Sequence, residues 1–426
     1  MNTIVYSRRS ARAALLFVLF GCAEAGAAHL SLAEAERLAL TDEPGVLALR
    51  ADAAAQRERA VADAQLPDPE LTATAFNFPV DTFDFDQEPI TQLRFGFRQR
   101  MPDRTERSAR RSIAESRATT SDARGRGRVR DVLRGVRLAL IELAWRQAEQ
   151  SRLEAAETLF VELESSALAG YRQGSGAQQD VLRARLEMSV LEDRLRGVRA
   201  ARESARAELA RWIGAPALTA HVVLESPEPL AGEDTALLDG HPALRQLDAE
   251  RDVARGGIEL ARSDYRPDWA FEIVYGARDD ASPFGDHPDF LTAGVSVQLP
   301  LFAAQRQDRR LAASQQEAEA ARVRRIDGLR ELKRALDVQR VRASETDDRI
   351  DLHERQLLPQ AAETVKAARA ELASGVVDYA EVVRAALVEI ELAITLERLR
   401  ADRARIDTEL AWLLGDDVAR AQEETL

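Results

Sequence analysis

Apolar and polar residues alternate along this chain with two different periods. From Thr91 the sequence TQLRFGFRQRMP alternates strictly, with Leu93, Phe95, Phe97 and Met101 on one face and Gln92, Arg94, Gly96, Arg98 and Arg100 on the other. That is the period of a strand with one apolar side. The segment ELTATAFNFPV, Glu70 to Val80, gives a weaker partner, and an acidic loop, DTFDFDQEPI, joins the two. The arrangement returns near residue 270. DWAFEIVYGAR sets Trp269, Phe271, Ile273 and Tyr275 on one face, and FLTAGVSVQLPLF sets Leu291, Ala293, Val295, Val297 and Leu299 against Thr292, Gly294, Ser296 and Gln298. The pattern predicts four strands of about ten residues, the length that crosses a bilayer when tilted. Half-buried strands of a soluble sandwich carry the same period of two.

The rest of the chain reads as helix. No proline occurs between Pro102 and Pro216, and after Pro300 only Pro359 interrupts. Pro102 to Gly174 and Pro300 to Gly375 are therefore predicted as two very long helices, each on the order of 100 Å at about 1.5 Å per residue. Asp103 followed by Glu106 fits a helix start. After each glycine the chain turns and runs back, to Gly214 at the end of ELARWIG and to Gly415 at the end of ELAWLLG. The offset is 201 at both ends, so the two returning helices align without a gap. Their apolar seams agree: Val181, Ala184, Met188, Leu191, Leu195, Val198, Arg202, Ala205, Leu209 and Trp212 step by threes and fours, as do Val382, Ala385, Glu389, Leu392, Leu396, Leu399, Arg403, Ile406, Leu410 and Leu413. This is a coiled-coil spacing kept twice.

Each repeat also opens with a shorter helix, Pro44 to Pro67 and Pro242 to Pro267, so two stacked short helices lie beside one long one. The organisation read from this is a signal segment over 1–28, a first repeat over 30–214 with its strand pair at about 70–101 and its tip at 174, an equatorial linker over 215–241, a second repeat over 242–415 with its strand pair at about 268–300 and its tip at 375, and a tail over 416–426. The fold class is mainly α with a four-stranded β contribution. Four strands cannot close a membrane barrel, whose smallest single-chain form has about eight. The chain must associate, and three copies would supply twelve strands and a ring of helical rods.

Composition narrows the function. Aromatic residues are only 5% and charged residues 31%, and the formal charge is −13, which argues against a nucleic-acid binder. The basic run RGRGRVRDVLRGVR, Arg124 to Arg137, reads as a solvated or acid-paired helix face. At the N-terminus Arg8, Arg9 and Arg12 precede a short apolar run, AALLFVLFG, which reads as a secretory signal. Two processing sites compete, an Ala-rich one at Ala25 to Ala28 and a lipobox-like LFGC that would leave Cys22 as an acylated N-terminus. With one cysteine in all, no disulfide and no thiolate metal site is available. The five histidines have no ligand spacing, and no nucleophile elbow or phosphate loop occurs, so neither catalysis nor a cofactor is expected.

The opening LSLAEAERLALTDEPGVLALRADAA, the paired YRQGSGAQQDVLRA and LASGVVDYAEVVRA, and the strand-to-helix VSVQLPLF resemble the TolC-type outer-membrane efflux family over essentially the whole mature chain. The resemblance implies a homotrimeric channel-tunnel, a twelve-stranded barrel in the outer membrane of a Gram-negative bacterium continued by a periplasmic helical barrel. It implies an exit duct for tripartite efflux pumps or type I secretion systems. The partners implied are a periplasmic adaptor protein, an inner-membrane pump and outer-membrane lipid, with no nucleic acid. By position, Gly174, Ser175, Gly176, Gly375, Val376 and Val377 correspond to the tips that meet the adaptor, and Asp180 and Glu381 to acids ringing the periplasmic entrance. A tight turn and a solvated helix-face acid explain the same residues. Overall similarity leans toward the branch that exports heavy-metal cations. A soluble periplasmic coiled-coil scaffold, with the strands in a small sandwich, is the alternative from a different class.

Overall fold

The computed structural model describes residues 30–85, 87–174, 176–223, 235–278, 288–374 and 377–415. In chain order these form α1 (Leu32–Leu40), α2 (Pro44–Asp63), β1 (Glu70–Phe76), β2 (Gln92–Met101), α3 (Arg104–Arg172), α4 (Gln178–Ile213), α5 (Pro242–Ser263), β3 (Asp268–Ala277), β4 (Phe290–Gln298), α6 (Gln307–Leu352), α7 (Leu358–Ala373) and α8 (Tyr379–Leu414).

The two repeats are built alike. α3 starts at Asp103, whose carboxylate accepts the Thr105 amide at 2.7 Å, and runs for 69 residues without a proline to stop it. α2 lies along its first half and α4 returns along its second half. In the second repeat α5 lies along the first half of α6, and α8 returns along α7 and the far half of α6. The second rod begins at Gln307, after a 3-10 turn at Ala303–Gln305, and not directly at Pro300.

The four strands make one antiparallel sheet in the order β1-β2-β3-β4, so the hairpins of the two repeats join through β2 and β3. The register aligns one face: Leu71, Phe97, Ile273 and Ala293 share a row, and Ala73, Phe95, Tyr275 and Leu291 the next. That face is bare in the single chain, with Phe95 50%, Ile273 52% and Leu291 74% exposed. The opposite face is polar, carrying the row Glu70, Arg98, Glu272 and an Arg100 to Asp268 ion pair of 2.6 Å. β1 has seven residues, fewer than the alternation of the sequence suggests, because Asn77 turns into the left-handed region.

The apolar core is a seam and not a globule. Near the tips Phe160, Leu163, Val181, Ala184, Val365 and Val382 share one cluster, and near the equator Val132, Val136, Leu140 and Leu209 share another. Several expected seam positions differ in both returning helices. Ile213, and not Trp212, fills the last buried rung of α4, while Trp212 lies across Gly135 of α3. In α8 the expected Glu389, Leu392 and Leu410 are only half-buried, and Val383, Ala386, Ala401, Ala404 and Ala411 are buried as well. The reason is geometric: α8 packs against α3 on one side and α6 with α7 on the other, so it buries two faces where the spacing suggests one.

Candidate functional site

The hairpin tips are shaped by backbone requirements. Gly174 has φ +75°, a conformation open to glycine at little cost. Two residues on, the Gly176 amide donates to the Gly170 carbonyl at 3.1 Å, and a Cβ at Gly176 would come within 3.2 Å of that backbone. The first tip is thus a tight helix-ending turn that closes the last orphan carbonyls of α3. Ser175, Gly375 and Val376 lie outside the described residues, as does Cys22; Val377 is half-buried just before α8.

Asp180 and Glu381 occupy the same place in the two repeats, the third position of a returning helix, but have different partners. The Asp180 carboxylate accepts the Ala177 amide at 3.2 Å, supplying a cap that Ala177 itself cannot make. In the second repeat Asp378 is the cap, accepting the Glu381 amide at 3.0 Å, and the Glu381 carboxylate is left to pair with Arg384 at 2.5 Å. Both acids sit where a helix dipole favours negative charge. Tyr379 brings the two hairpins together: its ring is buried in the tip cluster. Burial pushes the phenol up to about 12, with the charges of Glu164 and Asp180 adding to it. Its hydroxyl has no hydrogen-bond partner among the described residues.

The arginine run in the middle of α3 proves to be a hub. Arg124 pairs with Glu250 of α5 at 3.1 Å, Arg128 with Glu43 at the start of α2 at 2.6 Å, Arg134 with Glu409 of α8 at 2.7 Å, and Arg137 with Glu36 of α1 at 2.5 Å. Arg130 donates to the carbonyls of Trp412 and Gly415, at 3.4 and 3.5 Å, where α8 ends. The face is therefore acid-paired, and between them these arginines fasten α1, α2, α5 and α8 to α3 at the equator. Burial would raise the Glu43 carboxyl, but the Arg128 guanidinium and the Val46 amide outweigh it and hold it below its ordinary value. His241, which caps α5 by accepting the Ala243 amide, is pushed down to about 4 by burial and by the nearby Arg130 charge. Its ring meets the Trp412 ring edge-on at 4.9 Å, and the Trp412 indole N–H donates to Asp131 at 2.9 Å. The acid partners come from four other helices, which is why the run alone did not disclose its role.

Among the described residues no group of His, Cys, Asp and Glu is arranged to hold a metal ion, and no helix is long and apolar enough to cross a membrane. What the geometry offers is a polar-faced sheet with a bare apolar back, carried on rods that end in capped tips.

Residues 235–416 match the family model described as outer membrane efflux protein. No curated protein matches the chain. Among solved structures, the outer membrane protein VceC from Vibrio cholerae is similar with a TM-score of 0.75 at 20% identity, covering 90% of this chain and 96% of that one. CusC, described through conformational changes that accompany folding and transmembrane channel formation, has a TM-score of 0.77 at 16% identity, covering 90% and 92%. The open state of the Neisseria gonorrhoeae MtrE outer membrane channel has a TM-score of 0.72 at 13% identity, covering 90% and 88%. Residues 235–416 thus resemble the outer membrane efflux protein family by sequence, and over nine-tenths of its length the chain shares the fold of these solved outer membrane proteins.

Proposed function

We propose that this chain is the outer-membrane exit duct of a tripartite efflux system, working as a homotrimer and docking a periplasmic adaptor and an inner-membrane pump. The observation that carries the reading is the sheet. Among the described residues it has an uncovered apolar face, a polar face behind it, and two unpaired edges, β1 and β4. Such a sheet is costly in water and stable when closed with copies of itself inside lipid. The helical part supports the same assembly. α4 packs on α3 but leaves Leu182, Leu186 and Val190 exposed, a stripe at helical spacing suited to a neighbouring copy.

In this assembly the tips at Gly174 and Gly176, and at Gly375, Val376 and Val377, meet the adaptor, and Asp180 and Glu381 line the entrance. The duct performs no chemistry, and the pump supplies the energy. The polar face of the sheet carries both signs of charge, as Glu70, Arg98, Arg100, Asp268 and Glu272, and so selects little by itself. Metal-cation cargo is therefore a choice made by the pump, and deletion of the gene should sensitise cells to the metals of that pump. The deciding experiment is purification from membranes: the protein should need detergent and sediment as a trimer. A monodisperse monomer without detergent would replace the duct with a soluble scaffold.

A further inference from the structure

The polar face of the sheet changes character along its length. Toward the rods it carries both signs of charge, with Glu70 and Glu272 flanking Arg98 and with Asp268 paired to Arg100. The row beyond, Thr72, Gly96, Val274 and Thr292, is uncharged. At the end that meets the loops, the row Thr74, Arg94, Gly276 and Phe290 holds one arginine, and Arg278 follows the end of β3, diagonal to Arg94 on the neighbouring strand. Arg94 stands four residues along β2 from the row of Glu70, Arg98 and Glu272, roughly 13 Å at about 3.3 Å per residue. That is longer than the screening length of about 8 Å at physiological ionic strength, so those acids offset it little.

Both guanidiniums are held in place, and neither is neutralised. Arg94 lies over the Phe76 ring with Cζ 3.2 Å from the ring centre, and its Nε donates to Gln92 Oε1 at 3.1 Å. Gln92 is buried, and it fits there because residue 276 is glycine: a Cβ at Gly276 would come within 2.7 Å of Gln92 Oε1. Arg278 lies over the Phe290 ring at 4.2 Å, with Nε and one terminal nitrogen donating to the Pro288 carbonyl at 3.0 and 2.7 Å and the other to the Pro89 carbonyl at 3.3 Å. All these acceptors are neutral. Asp289 is taken by the Tyr275 hydroxyl and the Arg278 backbone amide. The first loop carries Asp81, Asp84 and Glu88, yet among the described residues no carboxylate pairs with either guanidinium. Like charges on adjacent strands are unfavourable by themselves. Here they are braced side by side, and the two terminal nitrogens of Arg94 meet no acceptor among the described residues.

We propose that Arg94 and Arg278 form an anion site, one in each chain, at the loop end of the polar face, which takes a phosphate, sulfate or carboxylate group of a solute in the duct. A guanidinium presents its donors in a planar fork that matches such oxyanions, and Phe76 and Gln92 fix the plane of that fork at Arg94. The access of the solute rests on the reading of this face as the lining of the duct; the site itself does not. Because the charges nearer the rods offset one another, the site acts locally, as a station for anionic groups at one end of the lumen.

Equilibrium dialysis of the full-length protein in detergent against radiolabelled pyrophosphate measures the site. Arg94→Gln and Arg278→Gln should each weaken binding at least about tenfold, the loss expected when a charged hydrogen-bonding group is removed. Arg94→Lys keeps the charge without the planar fork and should retain only part of the affinity. Arg98→Gln removes a cation flanked by acids and should leave binding unchanged. Native binding in the Arg94→Gln, Arg278→Gln double variant overturns the site, and so does an equal loss in Arg98→Gln. In planar bilayers at low salt, pyrophosphate should reduce the native current several-fold more than that of the double variant. Arginine-dependent binding with no effect on the current overturns the placement of the site inside the duct. A water-soluble monomer that still binds pyrophosphate through these arginines would defeat the duct reading and leave the site standing.

Discussion

Gly135 sits where a side chain would collide with the indole of Trp212, whose ring atoms lie 2.4 Å from the place a Cβ would take. Three ring atoms lie within 3 Å of that place, so the indole would have to shift as a body. Gly135→Val should cost about 1–3 kcal/mol by overpacking, read as a lowered denaturation midpoint with native secondary structure at low temperature. His241 makes a pH-dependent contribution at the same level of the rod. Its folded-state value lies below that of a free histidine, so the native state binds the proton less readily than the unfolded chain. Stability is full above about pH 6.5 and falls as the pH drops toward 4, by on the order of 2 kcal/mol. His241→Asn keeps a capping side chain and should flatten this dependence between pH 7 and 4.5; an unchanged slope would assign it to other groups. Neither role was legible in the sequence. Gly135 stands in an arginine-rich run far from Trp212 along the chain, and His241 shows no spacing that marks it out.

Helices and strands were far more legible than contacts, because proline spacing and period-two alternation are local signals. The first long rod follows from the absence of proline and the division of the second into α6 and α7 falls beside Pro359, while the apolar back of the sheet follows from Phe95, Phe97, Ile273 and Tyr275. What failed was inference about faces. α8 serves two neighbours, and no single seam describes it. The caps show the same limit at the tips, since an acid at a fixed distance from a glycine has different partners in the two repeats. Asp378→Ala should fray the first turn of α8, at about 1 kcal/mol, seen as faster amide exchange at 379–382 with the first hairpin unchanged. If Glu381 lines the entrance, Arg384 largely offsets its charge. Arg384→Gln should then strengthen cation preference and block by divalent ions, and Glu381→Gln should weaken both, most clearly at low salt. Identical conductance in the two variants would place the pair outside the conducting path.

Among the described residues, the sheet has two unpaired edges and an apolar back that nothing covers, which is the physical basis for the assembly proposed above. Position on the sheet therefore decides what a charge will do. Phe95 and Ile273 lie on the apolar back, in neighbouring strands and adjacent rows, whereas Thr292 and Ser296 lie on the polar side of β4. An arginine on the lipid side of a barrel costs about 2–4 kcal/mol near the midplane, while one on the water side is tolerated. Phe95→Arg with Ile273→Arg should abolish the detergent-stable trimer and leave the chain in the periplasm, degraded or aggregated. Ser296→Arg should insert and assemble, changing only conductance. The comparison is internal, since all three changes add the same side chain to the same sheet, so a general loss of folding would affect both arms alike. Equal insertion of the two arms would mean that no face of this sheet meets lipid, and that the strands close a water-soluble structure.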